Sequence, residues 1–283
     1  MINPFSILLK FLLFILLFLT ISCSSNTAKK KEEKASERSV EEIYNSAMDY
    51  IEDNKFITAH REFIEVERLH PYSIWATRSQ IMTAYVNYKL YKYDDSVSGA
   101  KRYIELHPGA SDIDYAFYLI ALNYYEQIND FRRDQSYTEK ALEAFNNLIR
   151  RFPNSDYAKD ARLKLDLVND HLAAKEMDVG RTYQNLDNYI SAINRFKTVV
   201  DLYSKTSHVP EALARLTEMY YKIGLYEEAK VYASVLGYNY PENKWYLYSY
   251  SLFQKEKEIL KDNKEEKKTY INILNEFLDI FGN

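Results

Sequence analysis

Of the five prolines after residue 22, four close segments that align with one another, and that repetition restricts the fold more than any other feature of the chain. Ending on Pro71, Pro108, Pro153 and Pro241, they read AHREFIEVERLHP, SVSGAKRYIELHP, ALEAFNNLIRRFP and AKVYASVLGYNYP. A further copy, AINRFKTVVDLYS, runs from Ala192 to Ser204 with serine in the proline's place. Each copy begins with a small residue and carries Phe or Ala four residues on; Val66, Tyr103, Leu148, Val199 or Leu236 follows three later. Such spacing lines one face of a helix. Proline then ends it, having no N–H to continue the ladder. Nine residues ahead of three of the small residues stand Tyr50, Tyr183 and Tyr220, each preceded at three residues by Ala47, Gly180 or Thr217. Phe56, Tyr93, Tyr189 and Tyr226 open the second helix after turns such as Asp53-Asn54-Lys55 and Gly224.

Small residue, aromatic, turn, Ala, Phe, Pro is the grammar of the tetratricopeptide repeat, a helix–turn–helix unit of about 34 residues. The sequence therefore predicts an all-α fold, a tetratricopeptide-repeat α-solenoid of about five helix pairs with a C-terminal capping helix. Repeats fall at about 40–73, 74–110, 111–155, 156–207 and 208–243, with the final helix at 244–282 and the domain spanning 40–283. One pair alone buries too little apolar surface, so stability has to come from stacking. In the third copy Tyr124 precedes Ala141 by 17 residues, implying about eight inserted residues around Ile128 to Ser136. A long helical pattern, about Asp156 to Leu186, leads the fourth.

Residues 1–22 have the form of a signal peptide, with an apolar run from Phe11 to Ser22 after Lys10. That run is too short for a membrane span, which needs about 20 apolar residues. Cys23, the one cysteine, follows directly, and Ser24 and Ser25 come next. The pattern resembles the lipobox of bacterial lipoproteins, with Thr20 where Leu is usual. Lipidation of Cys23 accounts for both its position and its solitude, since a lone thiol cannot build a disulfide framework. Two or more acyl chains anchor a protein stably without spanning the bilayer. Residues 23–39 read as a lipidated flexible tether, rich in Lys, Glu and Ser with almost nothing apolar to bury.

A net charge of −4 gives no electrostatic case for nucleic acid. Catalytic and metal motifs are equally lacking: there is no H-E-x-x-H, no paired cysteines, no phosphate loop and no G-x-S-x-G. No cofactor is expected beyond the lipid on Cys23. His70 and His107 share one repeat position, just before proline, where Phe152 and Tyr240 stand elsewhere. Asp112 and Asp114 precede a helix starting near Tyr115, so capping is the expectation for both.

The first helix of each pair should line a groove. In the first three repeats this places Tyr44, Met48, Ile51, Ile81, Tyr85, Tyr88, Tyr115, Tyr118, Leu122 and Tyr125 along it, an aromatic trough. Met177, Arg181, Gln184, Glu218 and Tyr221 make the second half more polar. Tyrosine, present 27 times, suits peptide capture through its area, its hydroxyl and its few rotamers.

At this point the chain resembles the BamD family of outer-membrane β-barrel assembly lipoproteins. The residues that carry the resemblance are Asp112-Ile113-Asp114-Tyr115 with Phe117-Tyr118, Arg133-Asp134, Ala144-Phe145, the run Phe152 to Tyr157, and Asn194-Arg195. It implies a non-catalytic scaffold, lipid-anchored in the outer membrane and facing the periplasm. Its partners would be the periplasmic domains of the barrel-forming subunit and unfolded outer-membrane protein clients, with room for other assembly lipoproteins. Client C-terminal targeting sequences would dock on Tyr44, Met48, Tyr85, Tyr88, Tyr118, Leu122 and Tyr125, and Arg195 would meet the barrel subunit. The alternative is another periplasmic repeat scaffold, one coordinating cell-envelope or division proteins.

Overall fold

The computed structural model describes residues 38–262 together with residues 275, 276, 278 and 279. The signal peptide, Cys23 and the tether up to residue 37 lie outside the described residues. Among those described, every regular element is an α-helix. α1 (Val40–Glu52), α2 (Phe56–Leu69), α3 (Ile74–Lys89) and α4 (Tyr93–Leu106) come from the first two repeats. The third supplies α5 (Ile113–Tyr125) and α6 (Ser136–Arg151). α7 (Asp156–Asn185), α8 (Tyr189–Leu202), α9 (Val209–Lys222) and α10 (Tyr226–Asn239) make the fourth and fifth, and α11 (Lys244–Asp262) follows. The chain divides into two compact units, residues 1–99 and 100–283. The fold class is all-α, of tetratricopeptide-repeat type.

Four of the helix pairs turn by one device. Asn54, Tyr91, Asp187 and Gly224 sit in the left-handed region, with φ of 58°, 60°, 57° and 81°. Each donates its N–H to the carbonyl three residues back: Ile51, Tyr88, Gln184 and Tyr221. The next N–H reaches five residues back, from Lys55 to Tyr50, Lys92 to Asn87, Asn188 to Tyr183 and Leu225 to Tyr220, at 2.7–2.9 Å. This double closure is the Schellman motif. Tyr50, Tyr183 and Tyr220 are therefore the residues whose carbonyls accept the closing bond. Asn, Asp and Gly tolerate a left-handed backbone, whereas a tyrosine there costs about 1–2 kcal/mol. Tyr91 is also 79% exposed. Tyr91→Asn is accordingly expected to raise stability by about 0.5–1 kcal/mol, read as a higher urea midpoint.

The repeat residues form the core. Ala59 with Phe63, Ala141 with Phe145 and Ala192 with Phe196 are fully buried, as are Val66, Leu148, Val199 and Leu236. In the first unit Phe63 packs with Ala47, Ala59 and Val86. In the second, Phe145 and Leu148 join Ala121, Val168 and Leu172, while Phe196 lies among Met177, Leu216 and Met219. Ser204 in place of proline does not lengthen α8, which still stops at Leu202. What closes these connections is a residue three past the helix cap. The Thr206 N–H and hydroxyl donate to the Tyr203 carbonyl, and those of Ser73 donate to His70. Ser73 then caps α3 through the Ala76 N–H.

Candidate functional site

In the first unit, the groove-facing side chains of α1 and α3 sit half in the core. Tyr44 meets Phe63 edge-on at 5.5 Å and tilts against Trp75 at 4.9 Å. Met48 and Tyr85 pack on the cluster around Phe63, and the Lys89 ammonium stands 5.8 Å from both the Phe56 and Tyr85 rings. Tyr88 lies 6.3 Å from Tyr93. All four expected residues, Tyr44, Met48, Tyr85 and Tyr88, are half-buried. Ile81 is only 3% exposed and belongs to the core instead of a groove.

In the second unit, α5 and the start of α7 share a tyrosine ladder. Tyr157 stacks on Tyr118 at 5.1 Å and tilts against Tyr115 at 5.2 Å. The Tyr118 hydroxyl donates to the Asp160 carboxylate, which also pairs with Lys164 at 3.0 Å. Burial works against ionisation of Asp160, but the Tyr118 hydroxyl and Lys164 outweigh it and hold the carboxyl below its usual range. Tyr125 meets Phe145 edge-on at 5.9 Å, with the Lys164 ammonium 5.7 Å from its ring. Leu122 is half-buried beside them. These rings keep one side in the core and one edge available, which is how an aromatic surface stays ordered while unoccupied.

Asp112 does not cap α5, whereas Asp114, in the first turn, accepts from the Tyr115 N–H at 2.9 Å. Asp112 stands at the cap position without a side-chain bond to the helix and accepts from the Tyr103 hydroxyl at 2.5 Å. Asp114 accepts from the Ser155 hydroxyl at 2.6 Å, joining the first turn of α5 to the cap residue of α7. Sequence reasoning did not place Tyr157, Asp160 and Lys164 beside the groove, although their spacing along α7 puts them on one helical face.

The polar half is an ion-pair chain. Arg181 bonds Glu211 at 3.1 Å, and Gln184 bonds Glu218 at 3.2 Å. Arg215 and Lys222 also pair with Glu218, at 3.1 and 3.2 Å. Met177, expected in this part of the groove, is fully buried under Phe196. Arg195 is exposed on α8 and pairs with Glu176 of α7 at 3.2 Å. Among the described residues no cluster of His, Cys, Asp or Glu has the makings of a metal site, and no helix is long and apolar enough to cross a membrane.

A family model described as "YfiO: Outer membrane lipoprotein" matches residues 36–236. An outer membrane protein assembly factor BamD from Caulobacter vibrioides is 46% identical over 238 residues, 84% of this chain and 78% of that protein. The protein of the same name from Rickettsia prowazekii is 45% identical over 210 residues, covering 74% of this chain and 84% of its own. That from Neisseria gonorrhoeae is 32% identical over 237 residues, covering 80% and 89%.

Proposed function

The chain belongs to the YfiO family of outer membrane lipoproteins, and we propose from that membership and from the aromatic faces of α1, α3 and α5 that it is a non-catalytic scaffold for outer membrane protein assembly. Lipid on Cys23 would moor the helical units to the outer membrane on its periplasmic side. The tether then holds them at high effective concentration near the barrel-forming subunit.

The observation that carries the client-binding part is a half-buried tyrosine surface within each unit: Tyr44, Tyr85 and Tyr88 with Met48 in the first, Tyr118 and Tyr125 with Leu122 in the second. Client C-terminal sequences would lay apolar side chains against these rings and lose their hydration. Tyr85→Ala with Tyr118→Ala is expected to weaken binding of a client C-terminal peptide at least about tenfold, a change of about 1.4 kcal/mol. Unchanged affinity in a variant of unchanged helicity removes both tyrosine surfaces from this reading.

Arg195 is the residue assigned to the barrel subunit. Its pair with Glu176 is surface-exposed, and such pairs contribute about 0–1 kcal/mol, so Arg195→Glu should fold normally. Loss of the barrel subunit on affinity purification from solubilised membranes is the expected result. Retention of that subunit at wild-type level would take Arg195 out of the interface.

A further inference from the structure

α5 has a second apolar face. Phe117, Ile120 and Tyr124 follow one another at three and four residues, turned away from the face of Tyr118, Leu122 and Tyr125. They floor a cleft of about 410 Å³ between α4 and α6. Lys101 stands on the α4 wall, with Lys140 and Arg151 on the α6 wall. The Arg151 guanidinium lies 5.1 Å over the Phe117 ring and donates its Nε–H to Asn147 at 3.0 Å. The Lys140 ammonium is 5.0 Å from the Tyr137 ring and 5.9 Å from that of Tyr124.

The cleft gathers several charges of both signs. Elsewhere in the unit Lys164, Arg181, Arg195, Arg215 and Lys222 pair with carboxylates, whereas among the described residues cations such as Arg132, Lys175 and Lys197 form no ion pair. Glu105 and Glu143 line the same cleft as Lys101, Lys140 and Arg151, yet among the described residues none of these three cations forms an ion pair. Two of the three are instead held over aromatic rings. Ring contacts order a cation and leave N–H donors for an incoming anion. Lys140 and Arg151 are three turns apart on α6, about 16 Å, the reach of roughly five extended residues.

We propose that this cleft docks a short acidic segment of a partner protein, its carboxylates meeting Lys101, Lys140 and Arg151 and one apolar side chain resting on Phe117 and Ile120. The site is distinct from the tyrosine surface assigned to clients. Glu105 and Glu143 oppose such a ligand, so cation and carboxylate substitutions act in opposite directions.

The test uses the mature chain in detergent and a fluorescein-labelled six-residue peptide with one phenylalanine among Asp and Glu, against the same peptide with Asn and Gln. Fluorescence anisotropy should show the acidic peptide binding at least about tenfold tighter, with the difference shrinking as salt rises. Lys140→Gln and Arg151→Gln should each weaken it about fivefold, Glu143→Gln should strengthen it, and Tyr85→Ala with Tyr118→Ala should leave it unchanged. Equal binding of both peptides, or charge substitutions that all act in one direction, would overturn the proposal. Capture of anionic phospholipid vesicles without capture of the peptide would overturn it as well, assigning the cations to a membrane.

Discussion

Gly180→Ala is expected to destabilise the protein by about 2–3 kcal/mol, although glycine in a helix interior is ordinarily a weakness that alanine repairs by about 0.5–1 kcal/mol. The sign turns on one ring. A Cβ at this position of α7 would stand 2.5 Å from Cε1 of Phe196 and 2.9 Å from its Cδ1 and Cζ. Phe196 is fully buried, walled in by Met177, Ile193, Leu216 and Met219, so the ring has nowhere to move without opening the cluster. Overpacking of that kind outweighs the backbone gain. At roughly 2–4 °C per kcal/mol for a chain of this size, the melting temperature should fall by about 4–12 °C. Gly109→Ala is the control, since a Cβ there meets nothing within 4 Å. A neutral or stabilising Gly180→Ala would mean that α7 and α8 do not cross as closely as described.

That glycine was legible in the sequence, as were Phe63, Phe145 and Phe196, because spacing within a single helix dictates which side is buried. The extra residues of the third repeat were legible as an insertion because Tyr124 stands 17 residues ahead of Ala141 where three other repeats have nine. Their closure was not: Gln135 donates its side-chain amide to the Asp130 and Arg133 carbonyls and accepts from the Thr138 hydroxyl. Contacts such as Asp114 to Ser155 and Tyr118 to Asp160 join residues 41 and 42 apart. They depend on how far one helix slides along the next, which no pattern within one helix contains. Met177 shows where a position rule fails. Counted from an assumed helix start it fell in the groove, but it lies on the same stripe as Ala173 and Gly180, at four and three residues, and that stripe is buried. Periodicity measured from the buried glycine was the better guide.

Glu218→Ala should cost more than Gly180→Ala, about 3–4 kcal/mol, because it breaks a buried charge network. Glu218 is 7% exposed and accepts from Arg215, Lys222 and Gln184 at 3.1–3.2 Å, and from the Tyr248 hydroxyl. Arg215 is fixed in turn beneath Trp245, 5.2 Å from its ring. Removing the carboxylate takes the shared acceptor from Arg215, whose side chain is 21% exposed, and from the Tyr248 hydroxyl, while Lys222, 41% exposed, turns to water. Glu218→Gln keeps the shape and one acceptor, and about half that loss is expected. Acid separates charge from packing. Burial alone would raise the Glu218 carboxyl, but Tyr248, Lys222 and Arg215 outweigh it and lower it below its ordinary 4.5. A carboxylate with a depressed folded value contributes fully above that ordinary value, and the contribution disappears as pH falls through the depressed one. The stability gap between wild type and Glu218→Gln should therefore be constant from pH 7 to about 5 and narrow as pH falls below the ordinary 4.5. On the alkaline side burial, then Glu218, pushes the Tyr248 hydroxyl up to about 12. That contribution is whole below the ordinary value of 10 and is lost as pH rises through about 12. Urea unfolding of both proteins across pH 3–8 measures the acid limb. A gap that stays constant down to pH 3 would show that Glu218 acts through its shape and not its charge.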